Sequence, residues 1–279
     1  MNKRIGEILK ACGLKNYGFC RFEDAGELLP TRNIKQIPQN AASIIAVLFP
    51  YKIPYEGERN LSLYCIGKDY HTIVTDKLNA ACRQLKNEFP KQTFAAFCDN
   101  SPIREVKAAY ESGLGFLGKN SMIIHPKYGS FCFIGEIVTD LPLPSYSHPL
   151  GFCKNCGACL KACGSGALKT GKDGEVYLLD RELCLSWVTQ KKGELSEAQK
   201  NQMRKNALVW GCDTCNLVCP MNKDAEFSDI EEFYTSPLPY LTEQNVRECS
   251  ERAYGYKGEK ILLRNLGIIY GDSDNNNGK

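Results

Sequence analysis

The spacing of its cysteines is the feature that most constrains this chain of 279 residues. Eight of the 15 cysteines lie between residues 153 and 219, and seven of these eight fall into two tight groups. The first group reads Cys-x2-Cys-x2-Cys-x3-Cys and starts at Cys153; the second reads Cys-x2-Cys-x3-Cys-Pro and starts at Cys212. Because such short spacings turn several thiolates toward one point, they indicate iron–sulfur ligation. The odd total argues against a fully paired disulfide framework.

The two groups supply eight ligands if Cys184, which lies between them, is included. In two-cluster ferredoxins the last cysteine of each group ligates the other group's cluster. On that pattern one [4Fe–4S] cluster is assigned to Cys153, Cys156, Cys159 and Cys219. The second is assigned to Cys163, Cys184, Cys212 and Cys215. Zinc is the alternative, because CxxC pairs also build tetrahedral zinc sites, but a zinc ribbon separates its pairs more widely than the first group does.

The remaining seven cysteines are scattered through apolar segments. They are Cys12, Cys20, Cys65, Cys82, Cys98, Cys132 and Cys249. We expect them to be small core residues, with Cys65 and Cys98 closest to the expected active site.

The composition is that of an ordinary globular protein, with 43% hydrophobic and 24% charged residues. The net charge of +3 does not by itself indicate nucleic-acid binding. The first residues, MNKRIGEILKACG, lack the continuous apolar stretch of a signal peptide, and no segment approaches the roughly 18 apolar residues of a membrane span. We therefore expect a cytoplasmic protein without membrane association, in a compartment that keeps thiols reduced.

Hydrophobic periodicity predicts mixed helices and strands for residues 1–150. In chain order the patterns predict a helix that ends at Gly13, a buried strand over 43–49, a helix over 74–85 and a buried strand over 93–99. Helical periodicity returns over 194–209 and 241–265.

Two shorter features lie between these segments. Ser101 and Pro102 are predicted to cap and open a helix that runs to Gly113. Segments 121–125 and 130–138 are predicted to form a β-hairpin, because a turn sequence, PKYG, separates two apolar runs.

Asp99 directly follows the strand FAAFC, and loops at strand ends often present catalytic groups. It could equally be a turn residue. The segment GLGFLGKN (113–120) resembles a phosphate loop, but it follows a helix, which is the wrong context for a dinucleotide site; a helix C-cap is the plainer interpretation. His71, His125 and His148 have no neighbour at metal-ligand spacing and are expected to be structural or at the surface.

Several motifs occur together in the order seen in one enzyme family. They are DYH (69–71), Asp99-x-x-Pro102-x-x-Glu105, GLGFLGKN (113–120), YGSFCFIGEIVTDLPL (128–143), both cysteine groups, CLSWVTQ (184–190) and WGCDTC (210–215). Over residues 1–270 the chain thereby resembles epoxyqueuosine reductases, which use cobalamin and iron–sulfur clusters in the last step of queuosine formation in tRNA.

The resemblance implies an α+β fold in three parts. These are a mixed α/β cobalamin-binding catalytic domain over 1–150, a ferredoxin-like double [4Fe–4S] domain over 151–225 and a helical tail over 226–279. It further implies two partners, a queuosine-family tRNA anticodon stem-loop as substrate and a low-potential electron donor. The chain is expected to act as a monomer.

The resemblance also implies roles for single residues. Asp99 matches the family's proton donor, and the corrinoid would be lined by Asp99, Lys119, Asn120, Ile123 and Ile134. Electrons would pass singly through the clusters to cobalt, and a two-electron, two-proton deoxygenation would yield an alkene and water. A carboxyl beside a flat apolar corrinoid would be desolvated, which raises its pKa.

The chain departs from the family pattern in two places. Val106 stands where relatives commonly carry a basic residue. LLRNLGIIYGD (262–272) resembles the start of the family's C-terminal helical-repeat domain, and the sequence ends at residue 279. Basic residues could still contact phosphates or form solvated helix faces: Lys191, Lys192, Lys200, Arg204, Lys205, Arg247, Arg252, Lys257, Lys260 and Arg264.

Two other functions stay open from the sequence. The first is a corrinoid iron–sulfur reductase of a small molecule, as in the related reductive dehalogenases. The second is a ferredoxin-like electron carrier, which leaves Asp99 and segment 113–120 without a role.

Overall fold

The computed structural model describes residues 1–145, 150–170 and 177–271. Its helices are α1 (Asn2–Ala11), α2 (Tyr70–Glu88), α3 (Glu105–Glu111), α4 (Ala158–Ala162), α5 (Leu185–Val188), α6 (Glu197–Asn206), α7 (Thr214–Leu217) and α8 (Glu259–Tyr270). Its strands are β1 (Asn16–Arg21), β2 (Ser43–Pro50), β3 (Phe94–Cys98), β4 (Phe116–Leu117), β5 (Ile123–Ile124), β6 (Cys132–Thr139), β7 (Leu168–Thr170) and β8 (Tyr177–Leu179).

An antiparallel four-stranded sheet with the order β1-β2-β6-β3 organises the first half of the chain. The predicted strand over 43–49 is confirmed as β2, which is buried along its whole length because helices cover both faces of the sheet. Ile45 packs with α1 and α2 on one face, and Ile44 packs with α3 on the other. The mixed α/β character of this half is confirmed.

Two predictions about strands are wrong in part. The strand over 93–99 is predicted to be buried, but β3 lies at the edge of the sheet. Of its five residues, Phe97 alone is therefore fully buried. The hairpin of 121–125 with 130–138 does not form: β5 pairs with β4, whereas β6 pairs with β2 and β3. The PKYG segment between β5 and β6 still forms a turn, closed by reciprocal backbone hydrogen bonds between His125 and Gly129. The hairpin extends no further because both edges of β6 are already paired with other strands.

The helix predicted to start at Ser101 and Pro102 starts later, at Glu105. Ser101 Oγ instead accepts a hydrogen bond of 3.1 Å from the amide of Ile103, which closes a turn. The residues before it, Asp99 and Asn100, have positive φ angles of 52° and 42°. Residues 99–104 therefore form a loop with a defined conformation, and they do not begin a helix.

The second half is built from short elements. The helix predicted over 194–209 is confirmed as α6, which starts with a capping box between Ser196 and Gln199. The helix predicted over 241–265 is wrong for most of its length, because 3₁₀ turns over Val246–Glu251 and Gly255–Lys257 precede α8. In the described ranges no helix is both long and apolar enough to cross a bilayer.

The tail packs onto both other parts of the chain. Phe233 joins the core formed by α1, α2 and the sheet, while Tyr254 and Leu262 pack with Leu61 and Trp210. The side chain of Asn60 both donates to and accepts from the backbone of Leu241, at 2.8 and 2.7 Å. These contacts fix the edge of the cysteine-rich segment against the sheet domain; the domain limits at 150 and 225 stay a prediction.

Candidate active site

A cleft of about 1130 Å³ opens where the loop after β3 meets the start of α2 and the cysteine-rich segment. Each of these parts contributes to the wall: Asp99 from the loop, His71 from α2, and Cys184 and Trp187 from the cysteine-rich segment. The cleft is larger than the roughly 300–1,000 Å³ typical of pockets for drug-sized ligands. It can therefore hold a bulky ligand.

Asp69, His71 and Asp99 form a chain of hydrogen-bonding groups at this cleft. Asp69 caps α2 by accepting from the amide of His71 at 2.9 Å, and its Oδ1 also lies 2.6 Å from His71 Nδ1. The other ring nitrogen, Nε2, lies 3.4 Å from Asp99 Oδ2. His71 is thus a functional candidate that the sequence reasoning assigned to structure or surface. The DYH motif was the available signal.

These contacts set the charges of the site. Burial by itself would lower the pKa of His71, but the hydrogen bonds to Asp69 and Asp99 outweigh it and raise that pKa to about 9. The hydrogen bond from His71 lowers the pKa of Asp99 despite partial burial. In the protein alone the pKa of Asp99 is lowered because an imidazolium stands beside the carboxylate; the raised pKa expected beside a corrinoid stays a prediction. The exposed fraction of the Asp99 side chain, 55%, leaves it open to the cleft.

The residues expected to line a corrinoid separate into three places. Lys119 lies in the wall of the cleft with Asp99. Asn120 is buried and faces the first cysteine group instead. Ile123 is buried in the apolar cluster beneath α3, and Ile134 is half-buried against the same cluster. The structure thus brings Asp99 and Lys119 together and leaves the other three behind the wall; their contact with a cofactor stays a prediction.

The eight cysteines of the second half gather into two neighbouring sets. Four of them line a small cavity of about 20 Å³: Cys153, Cys156, Cys159 and Cys219. Burial, and then the nearby thiols of Cys212, Cys184, Cys163 and Cys159, raise the pKa of Cys215 to about 12. These neighbours are compatible with the two ligand sets predicted from the spacing, and the assignment of each cysteine to a cluster stays a prediction. Among the described residues, no three Cys, His, Asp or Glu side chains converge on one metal ion.

A buried polar network ties the second cysteine group to the cleft. Asn120 donates to Asn216 Oδ1 at 3.2 Å, and Ser130 donates to the same oxygen at 3.1 Å. Asn222 donates to Ser130 Oγ at 2.7 Å and to the carbonyl of Asn216 at 2.8 Å. Because Asn216 follows Cys215 directly, this network sets the position of the 117–121 segment relative to the cysteines. Sequence reasoning missed it.

The other residues singled out from the sequence have plainer places. Cys65 is fully buried and Cys98 is half-buried, and burial raises the pKa of both thiols above the usual range. His125 Nδ1 accepts from two backbone amides in the turn before β6, which confirms a structural role. His148 lies outside the described residues.

Two family models match the chain. Residues 152–222 match the 4Fe-4S double cluster binding domain, and residues 32–100 match the family described as epoxyqueuosine reductase QueG, DUF1730. The fold and site thus define an iron–sulfur protein in which a double-cluster segment adjoins an acid-lined cleft.

Comparison with individual proteins gives the family. An epoxyqueuosine reductase from Gloeobacter violaceus is 32% identical over 246 residues, which cover 84% of this chain and 75% of that protein. One from Leadbetterella byssophila is 33% identical over 204 residues, covering 72% of this chain and 65% of that protein. The chain belongs to the epoxyqueuosine reductase family. It spans 53–65% of the length of several curated relatives.

A solved structure shares the fold. It is an epoxyqueuosine reductase with a tRNA-Tyr epoxyqueuosine-modified stem loop, with a TM-score of 0.79 at 23% identity over 96% of this chain and 80% of that one.

Proposed function

We propose that this protein is a cytoplasmic, monomeric epoxyqueuosine reductase that removes the epoxide oxygen from epoxyqueuosine in tRNA. The reaction takes two electrons and two protons and yields the alkene of queuosine and water. One observation carries the proposal: Asp99, which can move a proton, and Cys184, an expected cluster ligand, lie in the wall of one cleft. Proton and electron delivery can therefore meet at one substrate.

The donor groups fit the cofactors that the family uses. Eight thiols in two sets of four suit two [4Fe–4S] clusters. The cleft suits a flat corrinoid, because its volume is large and its walls include Tyr64, Leu117 and Trp210 beside Lys119. When bound, the clusters and the corrinoid supply low-potential electrons from an external donor to the epoxide.

The protein's own contribution is proton delivery. At neutral pH the raised pKa of His71 keeps its ring protonated, while the lowered pKa of Asp99 keeps that carboxyl ionised. His71 therefore holds the proton, and Asp99 passes it to the departing oxygen. Asp69 fixes the ring through Nδ1, so that Nε2 faces Asp99. Filling the cleft removes water from Asp99, which raises its pKa and favours this transfer.

The substrate is proposed to be a tRNA anticodon stem-loop. Lys257, one of the ten basic residues considered from the sequence, lies in the cleft wall, as do Arg104, Lys107 and Arg181. Two others are engaged internally. Arg252 donates to backbone carbonyls of residues 66, 67 and 236, and Arg264 donates to those of residues 191 and 193. The phosphate contacts are therefore expected at the cleft rim rather than along α8.

The test is an anaerobic reconstitution followed by an assay. We expect about eight irons and one cobalamin per chain, since two cubanes need eight thiolates. With a low-potential reductant the protein converts epoxyqueuosine to queuosine in a stem-loop, measured by mass spectrometry of the nucleosides. A protein that binds no corrinoid contradicts the proposal. Corrinoid binding without conversion of the stem-loop contradicts tRNA as the substrate and leaves a small molecule.

A further inference from the structure

Two buried glutamates lie behind Asp99 and have no part in the proton chain described above. Glu136 sits in β6 opposite Phe97 of β3, and the neighbouring register pair is Gly135 with Cys98, the residue before Asp99. The side chain of Glu136 is fully buried. Among the described residues, neither of its carboxyl oxygens has a hydrogen-bond partner of good geometry; the Ser101 hydroxyl lies near enough to lower the pKa of Glu136, against the larger raising effect of burial.

Glu105 approaches the same place from the other side. It is the first residue of α3, whose Ala108 packs on Val138 and whose Ala109 packs on Ile134. Side chains two apart share a face of a strand, so Glu136 lies on the face that α3 covers. Glu105 also lies in the cleft wall with Asp99, and its Oε1 is buried without a partner in the described structure.

A pair of buried carboxyls without a counter-ion is expected to be neutral. No described lysine, arginine or histidine forms an ion pair with either glutamate, and a buried charge without a partner is strongly disfavoured. Burial, and then the charge of Asp99, raise the pKa of Glu105 to about 7. Burial, and then Glu105, raise the pKa of Glu136 well above its usual range.

Other ionisable groups around the pair do not change this. The thiols and the phenol that face it all have raised pKa values and stay neutral near pH 7: Cys98, Cys20 and Tyr70. Arg104 and Lys107 flank Glu105 in sequence, and Arg104 donates instead to the carbonyl of Glu27 at 3.1 Å. Asp99 is the carboxylate whose charge raises the pKa of Glu105.

We propose that Glu105 and Glu136 form a neutral carboxylic acid pair that stores the second proton of the reduction and delivers it through Asp99. The inference rests on the proposed function, which consumes two protons for each epoxide. His71 holds one of them. In the second transfer the O–H bond of Glu105 breaks, the ionised carboxylate of Asp99 accepts that proton and passes it to the departing oxygen, and Glu105 is left as a carboxylate that its neutral neighbour Glu136 stabilises. No electron moves in this step, and solvent restores the proton after product leaves the cleft.

The difference in acidity between Glu105 and Asp99 explains why Glu105 keeps its proton until the departing oxygen needs it. Glu105 is a weaker acid than Asp99, so transfer between these two alone is uphill. It becomes downhill when a strongly basic oxygen accepts the proton from Asp99. The pair thus releases its proton in response to bond breaking.

The first test detects the stored proton directly, without catalytic turnover. In the reconstituted holoenzyme, infrared absorption of protonated carboxylic acids is followed from pH 5 to pH 9. We expect one such band to disappear with a midpoint near 7, and to be absent in Glu105→Gln but present in the exposed control Glu56→Gln. A wild-type protein without that band overturns the proposal even if it converts tRNA. A band present in a protein that does not convert tRNA contradicts the proposed function instead.

The second test measures whether Glu105 delivers its proton during turnover. We expect Glu105→Gln to lower kcat roughly 10- to 100-fold with KM for the stem-loop and cobalamin content unchanged, and to lose the wild-type decline in rate near pH 7. Glu105→Asp keeps a carboxyl and restores part of the rate. A Glu105→Gln enzyme with a normal kcat and pH profile overturns the proposal. So does one that binds less cobalamin but has a normal kcat per bound cobalamin, because Glu105 would then hold the cofactor.

Discussion

The sheet half and the cysteine half of this molecule are stabilised by different interactions. In residues 1–145 apolar side chains cover both faces of the four-stranded sheet. Between residues 150 and 222 three of the four described helices have only four or five residues, and two sets of thiols lie between them. Apolar burial needs no ligand, whereas a site built from thiolates gains its stability from metal. The two halves, which meet at the cleft, are therefore expected to lose their stability under different conditions.

Removal of iron is expected to have the largest effect. Chelation of the reconstituted protein should abolish turnover and loosen residues 153–219, because coordination supplies much of their folding energy. The sheet should stay folded on its own apolar core. Hydrogen exchange measured by segment checks this, with protection lost in the cysteine segment and kept in β2 and β6. Simultaneous loss in β2 would show that the halves fold as one unit.

Asp99→Asn is expected to affect chemistry without affecting either half's stability. Loss of a positioned proton donor lowers kcat by roughly 10²- to 10⁴-fold. Because Asp99 is half-exposed, iron and cobalamin content should stay at wild-type values, and Tm should fall by no more than the small contribution of the His71–Asp99 pair. The exposed α2 variant Asp76→Asn is the matched control. Full turnover by Asp99→Asn refutes the role assigned to Asp99.

A matched pair of core truncations sharpens the comparison of stabilities. Ile45 and Met203 are both fully buried, the first in the sheet and the second against α5 and α8. Each truncation to alanine is expected to cost about 2–5 kcal/mol of unfolding free energy in the iron-loaded protein. After iron removal Ile45→Ala should keep its cost and Met203→Ala should lose it. Denaturant unfolding with and without iron measures the loss of unfolding free energy for each variant. If Met203→Ala costs as much without iron as with it, the two halves are not stabilised by different interactions.

The smallest expected effect is a change of stability with pH at the cleft. The folded-state pKa of His71 is raised to about 9 from its usual 6.5, so the native state binds the proton more tightly. Its contribution is fully present below pH 6.5 and is lost as pH rises through 9. The unfolding free energy of His71→Gln should lack this decline, measured by denaturant titration between pH 6 and pH 9.5. An identical slope in wild type and variant contradicts the His71–Asp99 pair.

Local pattern accounts for the parts of the fold that were predicted. β2 follows from an uninterrupted apolar run, and α2 follows from apolar residues at helical spacing. The errors lie where distant strands compete. Nothing within 121–138 indicates that β6 pairs with β2 and β3 on both edges, or that β5 turns to β4.

The site divides in the same way. The double-cluster segment was predictable because ligand spacing is local, and residues 152–222 match that domain; the assignment of single cysteines to each cluster stays a prediction. His71 was missed because Asp99, its partner, is distant in sequence, and the charge of the pair exists only once α2 and the β3 loop are side by side. Glu136 was hidden for the opposite reason, as a single acid within an apolar strand whose burial depends on α3.

The central claim is that proton and electron delivery meet in one cleft. It is tested most directly by single-turnover conversion of an epoxyqueuosine stem-loop by wild type, Asp99→Asn and Cys184→Ala, each incubated beforehand with the same low-potential reductant. Wild type should form queuosine. Asp99→Asn should reduce its corrinoid normally and form almost none, whereas Cys184→Ala should fail to reduce the corrinoid at all. Queuosine formation at the wild-type rate by either variant would contradict the account.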